Sequence, residues 1–387
     1  MSADLPFLPY GRQSIDEDDI AAVVAVLRGD WLTQGPAIEA FEQDIARAVG
    51  ARHVVAFCNG TAALHGACFA AGVGPGDEVI TSPLTFAASA NCARYVGARP
   101  IFADVEPTAG TLDPEALARA VTPRTRAVIP VHYTGQPARM DEIRAIARAR
   151  GLVVIEDAAH ALGASYRGRP IGACDAGDMA MFSFHPVKHI TTGEGGAIAT
   201  DDPARAEQLR LFRNHGLTRD PARFRRPSPG PWYHEQIALG HNLRLTDIQA
   251  ALGSSQLRRL DAFVERRRAL ADRYDARLAG LRGIAPLGRL PEGRHAFHLY
   301  VAQIDFEGLG IDRARVMAGL KERGIGTQVH YIPCHTHPFH ADDGWAPGAF
   351  PVAEGISARA LSLPLFPAMA DGDVDRVVGA LREVLGV

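Results

Sequence analysis

Lys188 sits in the stretch Phe182-Ser183-Phe184-His185-Pro186-Val187-Lys188-His189-Ile190-Thr191-Thr192-Gly193-Glu194-Gly195-Gly196, a short polar turn behind an apolar run. Upstream, Val153-Val154-Ile155-Glu156-Asp157-Ala158-Ala159-His160 reads as a buried strand that ends in a carboxylate. A lysine that can form a Schiff base, with an aspartate that can pair with a pyridinium nitrogen, is the minimal set for pyridoxal phosphate (PLP) chemistry. The amine must be neutral to attack, so its site must be desolvated enough to bring it well below the ordinary lysine value of ~10.4. The small residues after Lys188 let the backbone pass close to a bound ring.

Each further candidate carries an ordinary reading beside the chemical one. Asp157, at the C-terminal end of a strand, could bind a metal, cap a helix or pair with a cofactor nitrogen. His160, three residues on, could bond a cofactor's phenolic oxygen; taken alone, such a residue is more often a structural histidine. Asn59-Gly60-Thr61 ends one strand and opens a helix, which makes an anion site or simply a capped turn. Ser183 could add a hydroxyl to the same anion. Phe86, just after a strand, could stack on a cofactor ring or belong to the core. Gly72-Val73-Gly74-Pro75-Gly76 precedes its strand, so it is not a dinucleotide fingerprint. The histidine-dense run from His330 to Pro338 matches no zinc spacing, and no metal is expected. A loop that brings polar groups to a substrate fits that run better. Cys334 within it leaves open a desulfurase that forms a persulfide.

These residues need a scaffold. Apolar runs at His53 to Phe57, Glu78 to Ser82, Pro100 to Val105, Ala127 to Val131, Val153 to Glu156, Met179 to Phe184 and Gly196 to Thr200 alternate for the most part with helical segments. That pattern predicts a mostly parallel sheet covered on both faces, one large α/β domain over residues 12–250 behind an N-terminal arm, 1–11. Residues 218–240, rich in proline and arginine, predict a surface excursion without regular helix or central strand. One long helix is expected from Thr246 to about Ala279, bridging to a smaller α+β domain. The second domain, 251–387, takes that bridging helix, strands at His298 to Ile304 and Gly326 to Tyr331, and helices at Asp312 to Arg323 and Asp373 to Leu385.

The bulk composition excludes several classes. With 387 residues, 47% hydrophobic and 22% charged, the chain has the makings of a large globular core. A net charge of −3 carries no nucleic-acid or membrane signature. Five scattered cysteines without CxxC spacing fit a reduced, cytoplasmic protein. Met1 to Arg12 lacks the pattern of a signal peptide, and no run approaches the ~18 apolar residues of a membrane span.

Taken together, Thr33-Gln34-Gly35-Pro36, Asn59-Gly60-Thr61-Ala62-Ala63-Leu64, Gly76-Asp77-Glu78-Val79-Ile80, Glu156-Asp157-Ala158-Ala159-His160, Ser183-Phe184-His185-Pro186-Val187-Lys188 and Gly240-His241-Asn242-Leu243-Arg244 resemble the DegT/DnrJ/StrS sugar aminotransferases. The resemblance runs from about Tyr10 to the C-terminus. It implies the aspartate aminotransferase (type I) fold and a homodimer with active sites shared between subunits. It implies PLP bonded to Lys188, its ring nitrogen on Asp157, its phenolic oxygen near His160 and its ring stacked on Phe86. Gly60, Thr61 and Ser183 would hold the phosphate, with Asn242 reaching it from the neighbouring subunit; His330 and Tyr331 would approach the substrate. Some members carry histidine in place of the lysine and act as dehydratases, whereas this chain keeps Lys188. The residues His185-Pro186-Val187 and Ile190-Thr191-Thr192 look most like the members that move an amino group from glutamate to C4 of a UDP-linked 4-keto-6-deoxy-N-acetylhexosamine in pseudaminic acid synthesis. Another nucleotide sugar, on dTDP or GDP or another UDP epimer, is the first alternative. A PLP-fold regulator without turnover is the second; it predicts a damaged lysine or an added DNA-binding domain, and the sequence has neither.

Overall fold

The computed structural model describes residues 6–174 and 178–387. Of the arm expected over 1–11, residues 1–5 lie outside the described residues. The strands predicted in the first half form one seven-stranded sheet: β1 (His53–Phe57), β2 (Glu78–Thr81), β3 (Arg99–Phe102), β4 (Thr125–Ile129), β5 (Val153–Asp157), β6 (Met179–Ser183) and β7 (Gly196–Thr200), in the order β1-β7-β6-β5-β4-β2-β3. All run parallel except β7, which is antiparallel to both its neighbours. The reason is local. Loop 184–195 contains no helix, so it cannot carry the chain back across the sheet face for a parallel return. Helices Pro36–Val49 and Met140–Arg150 cover one face and helix Gly60–Ala70 the other, so central strands such as Val154-Ile155-Glu156-Asp157 are buried throughout.

Six strands therefore end, and β7 begins, at one edge. Phe57 and Ser183 each pair with Gly196, and Asp157 pairs with Met181. Every candidate residue predicted on a strand end arrives at this edge, where open α/β sheets bind ligands.

The long helix predicted from Thr246 is two helices, Asp247–Leu257 and Leu260–Leu278. Arg258 and Arg259 make the break; Arg259 turns aside to Ser14 O at 3.3 Å and to the carboxylates of Asp16 and Asp19. The first helix packs on helices Glu17–Leu27 and Pro36–Val49, the second on the C-terminal helix Asp371–Leu385. A straight rod could not serve both. The strand predicted over Gly326 to Tyr331 is not a ladder strand; only Gln328 bridges to Ser362. Its place beside Tyr300–Ile304 (β9) is taken by Ala360–Leu363 (β10), with Ile284–Pro286 (β8) on the other side. Residues 218–240 are largely irregular, as predicted, and are closed by a two-residue pairing of Leu217-Thr218 with Glu235-Gln236. Among the described residues, no helix is long and apolar enough to cross a membrane.

Candidate active site

The floor of the site is the end of β5. Asp157 is 6% exposed, and its carboxylate accepts from Ser89 Oγ at 2.6 Å and from the amide of Ala159 at 3.1 Å. Among the described residues no cationic side chain pairs with it. Burying a carboxylate with only two neutral donors is costly, and a cationic ring nitrogen is a fitting partner. Ser89 comes from helix Ala88–Tyr95 and is itself tied to Thr85 Oγ1 at 2.8 Å. In the sequence Ser89 carries only a faint signal, its place three residues beyond Phe86.

Loop 184–195 presents the lysine. Phe184 N donates to Gly195 O at 2.9 Å, Thr192 N to Phe184 O at 3.0 Å, and Lys188 N to His185 O at 2.8 Å, so the loop is closed on itself. Burial, against the pull of Asp157 and aided by the positive charge of Arg267, brings the Lys188 ammonium down to about 8. At pH ~7.5 about a quarter of such lysines are neutral, against about one in a thousand at the ordinary value.

A group of histidines surrounds it. Lys188 Nζ stands 3.5 Å from His298 Nε2. The His298 ring lies 4.4 Å from that of His160, whose Nε2 is 3.0 Å from Tyr331 Oη. Burial, followed by the charge of Lys188, holds His160 and His298 well below the usual histidine range. Burial takes His189 and His330 to about 3. Neutral rings of this kind form hydrogen bonds without adding charge. Nδ1 of His160, His189 and His298 is buried and meets no hydrogen-bond partner among the described residues. His298 lies 110 residues from Lys188 in sequence. Its one early signal was an ionisable residue inside the apolar run Ala296-Phe297-His298-Leu299-Tyr300.

The anion cradle is at the end of β1. Asn59 caps helix Gly60–Ala70 by accepting from Ala62 N at 2.8 Å. That leaves the amides of Gly60 and Thr61 without a protein acceptor among the described residues, a helix N-terminus open to an anion. A Cβ on Gly60 would stand 3.2 Å from Ser183 Cβ and 3.4 Å from Ser183 Oγ. Gly60→Ala is therefore expected to fold normally and to lose PLP on dialysis faster than the parent protein, read by absorbance and refolding midpoint.

Phe86 exposes 61% of its surface, with its ring 6.2 Å from that of Tyr331. Its face is uncovered and not packed in the core, so it is open to a stacked ring. His330 is held by Ser362 Oγ at 2.8 Å and Tyr133 donates to its carbonyl, which fixes Tyr331 over His160. Lys188, Asp157, His160, Ser183, Gly60, Thr61, Phe86, His330 and Tyr331 thus gather at one sheet edge. Asn242 does not join them: it is exposed beside β1, in a bridge with Asn214. Cys334 is 1% exposed, donates to Thr85 O at 3.3 Å and is pushed up by burial to about 12, poor properties for a persulfide nucleophile. His335 and His340 bond Glu354 at 2.9 Å and Asp343 at 3.3 Å, and both pack on Phe102.

The open amides, the unpaired buried carboxylate, the uncovered aromatic face and the depressed lysine fit the phosphate, nitrogen, ring and aldehyde of PLP in turn. Fold and site define a PLP-dependent transaminase of fold type I. The model of the DegT/DnrJ/EryC1/StrS aminotransferase family matches residues 13–382, and the chain belongs to that family of sugar aminotransferases. It is 45% identical over 381 residues to the spore coat polysaccharide biosynthesis protein SpsC of Bacillus subtilis (strain 168), covering 98% of this chain and 97% of SpsC. Among solved structures it is similar to DesI, crystallised in the presence of its TDP-sugar product (36% identity, TM-score 0.87, 99% of this chain and 94% of that one). It is also similar to Helicobacter pylori PseC, an aminotransferase of pseudaminic acid biosynthesis (28%, TM-score 0.90, 98% and 99%). Relatives of this fold have been solved in PLP and pyridoxamine phosphate forms.

Proposed function

We propose that this chain moves an amino group from glutamate to C4 of a UDP-linked 4-keto-6-deoxy-N-acetylhexosamine, as UDP-4-amino-4,6-dideoxy-N-acetyl-β-L-altrosamine transaminase of pseudaminic acid biosynthesis. The observation that carries the chemistry is a lysine brought down to about 8, beside a buried carboxylate that no cation pairs with among the described residues. PLP supplies an electron sink when bound. Lys188 would hold it through Nζ and, when free, would serve as the base that carries a proton at Nζ. Asp157 would pair with the ring nitrogen, and His160 would serve the phenolic oxygen. Phe86 would cover one ring face, and the Gly60 and Thr61 amides with Ser183 Oγ would hold the phosphate. Asn242, exposed in the single chain, would reach that phosphate from the second subunit of a homodimer, and His330 and Tyr331 would approach the sugar. The enzyme acts in the cytoplasm, where nucleotide sugars are made.

The division near residue 250 is part of the same reading: 12–250 would carry PLP and 251–387 would close over the substrate. Its support is that Leu270, Tyr274 and Leu278 pack round the small sheet, whereas Leu260 and Val264 pack with the large one, so helix Leu260–Leu278 bridges the two.

What supports the sugar is the likeness of His185-Pro186-Val187-Lys188 and Ile190-Thr191-Thr192 to PseC, together with the fold match to it. The kinship with SpsC supports an amino sugar made for a surface polysaccharide. A specific observation favours a second reading: DesI, with its TDP-sugar product, is nearer in sequence, at 36% against 28%. A panel of UDP- and dTDP-4-keto-sugars with glutamate, read by NMR for product stereochemistry, decides. The proposal expects turnover of the UDP-N-acetylhexosamine; activity confined to dTDP sugars would overturn the substrate and leave the transaminase.

A further inference from the structure

His298 is a buried polar ring with a single polar contact. It is 4% exposed, Nδ1 meets no hydrogen-bond partner among the described residues, and Nε2 faces Lys188 Nζ at 3.5 Å. Burying an imidazole costs more than burying an apolar ring of similar size unless its hydrogen bonds are made. A leucine would serve the core better, so the contact with Lys188 is what the histidine adds.

The ring is held from behind. The carbonyls of Phe297 and His298 both accept from Arg267, at 3.3 Å and 3.2 Å, and Arg267 also donates to Leu365 O at 2.8 Å. Arg267 is 1% exposed and meets only carbonyls, without a carboxylate among the described residues. Ala296 N donates to Gly135 O at 3.0 Å and Leu299 N to Thr134 O at 3.2 Å, which fastens the segment to the large domain on both sides of His298. A side chain so fixed can impose a direction on a flexible neighbour, and a lysine has four rotatable bonds to be directed.

We infer that His298 is the positioning residue for Lys188: its neutral Nε2 accepts one N–H of the released lysine and so fixes where the rest of that amine points. The geometry balances in both protonation states. As an ammonium, Lys188 gives one N–H to His298 and keeps another to deliver. As an amine, it gives the same N–H and its lone pair is turned away from His298, toward the carbon whose proton it takes. His298 itself gains and loses no proton. The inference rests on the reading of Lys188 as the cofactor's lysine. The other charged and titratable groups facing Lys188 are Asp157 at the end of β5, His160 just after it, His189 on the lysine's own loop, His330 beside Tyr331, and Arg267 from helix Leu260–Leu278.

The test uses the enzyme in its pyridoxamine phosphate form, in which the lysine is free. The chain has only two lysines, Lys188 and exposed Lys321, so NMR of lysine labelled at the ε position gives two signals, assigned with Lys321→Arg. Hydrogen bonding favours the charged form. His298→Leu is therefore expected to move the Lys188 midpoint down by about one unit, the size of one charge-assisted hydrogen bond. His298→Gln, whose amide oxygen reaches the place of Nε2, is expected to restore most of it. Single-turnover rates with glutamate and with keto-sugar should fall together in His298→Leu, by about 10- to 100-fold, with substrate KM unchanged and partial rescue in His298→Gln. A role in packing alone would let water in and move the midpoint up toward the ordinary lysine value. That result, or no movement in either variant, overturns the inference. The underlying reading fails separately, if Lys321 and not Lys188 carries the cofactor.

Discussion

Lys188→Ala purifies as a folded protein, lacks the visible absorbance band of lysine-bound cofactor, and loses turnover by more than about 10⁴-fold. The size follows from two tasks on one atom. Nζ holds the cofactor before substrate arrives and moves the proton afterwards, and among the described residues no other lysine is near: Lys321 is exposed on helix Arg313–Glu322. The fold should tolerate the change. Loop 184–195 is closed by backbone bonds from Phe184, Lys188 and Thr192 that alanine keeps. Free methylamine should restore part of the rate with glutamate, because it supplies a primary amine to the space that is left. Near-normal turnover in the variant would remove Lys188 from the mechanism.

Asp157→Asn has the second largest effect. Asparagine keeps the shape, and its oxygen can still accept from Ala159 N. Ser89 can turn to accept from the new amide and donate to Thr85, which is 2.8 Å away. The thermal midpoint should therefore move by no more than a few degrees. What is lost is a buried negative charge, and turnover is expected to fall by about 10²- to 10³-fold, the range seen when one preorganised electrostatic partner is removed. The sign of a second effect follows from the site. Asp157 favours the ammonium form of Lys188 and burial opposes it, so without the aspartate the lysine should titrate below about 8. If the titration of Lys188 moved upward instead, the two groups would not face each other as described.

The residues on the sheet edge were legible in the sequence, because each stands at a strand end whose run could be recognised by its apolar length. Asp157, Ser183 and Gly60 are of this kind. The antiparallel β7 was legible in principle from the short connection after Ser183, since a parallel return needs a crossover. His160 and His330 were named from the sequence, but the rest of the group around the lysine was not legible there. His298 meets Lys188 across 110 residues of sequence, and Arg267, although it stands on the periodic inner face of its helix between Phe263 and Leu270, bonds carbonyls that no periodicity identifies. The break at Arg258 was hidden for a related reason. The apolar spacing runs on from Ile248 to Leu278, and what ends the first helix is a tertiary pull on Arg259 from Asp16 and Asp19. Residues 326–331 carry apolar and polar alternation yet lie outside the ladder, because Ala360–Leu363 fills the edge of β9.

Borohydride reduction of the PLP-loaded protein, followed by digestion and mass analysis, tests the central claim most directly. Reduction makes the lysine–cofactor bond permanent, and with two lysines in the chain the answer is one peptide or the other. The added mass is predicted on the peptide bearing Lys188, at one equivalent per chain. Label on Lys321, or on neither, would contradict the account.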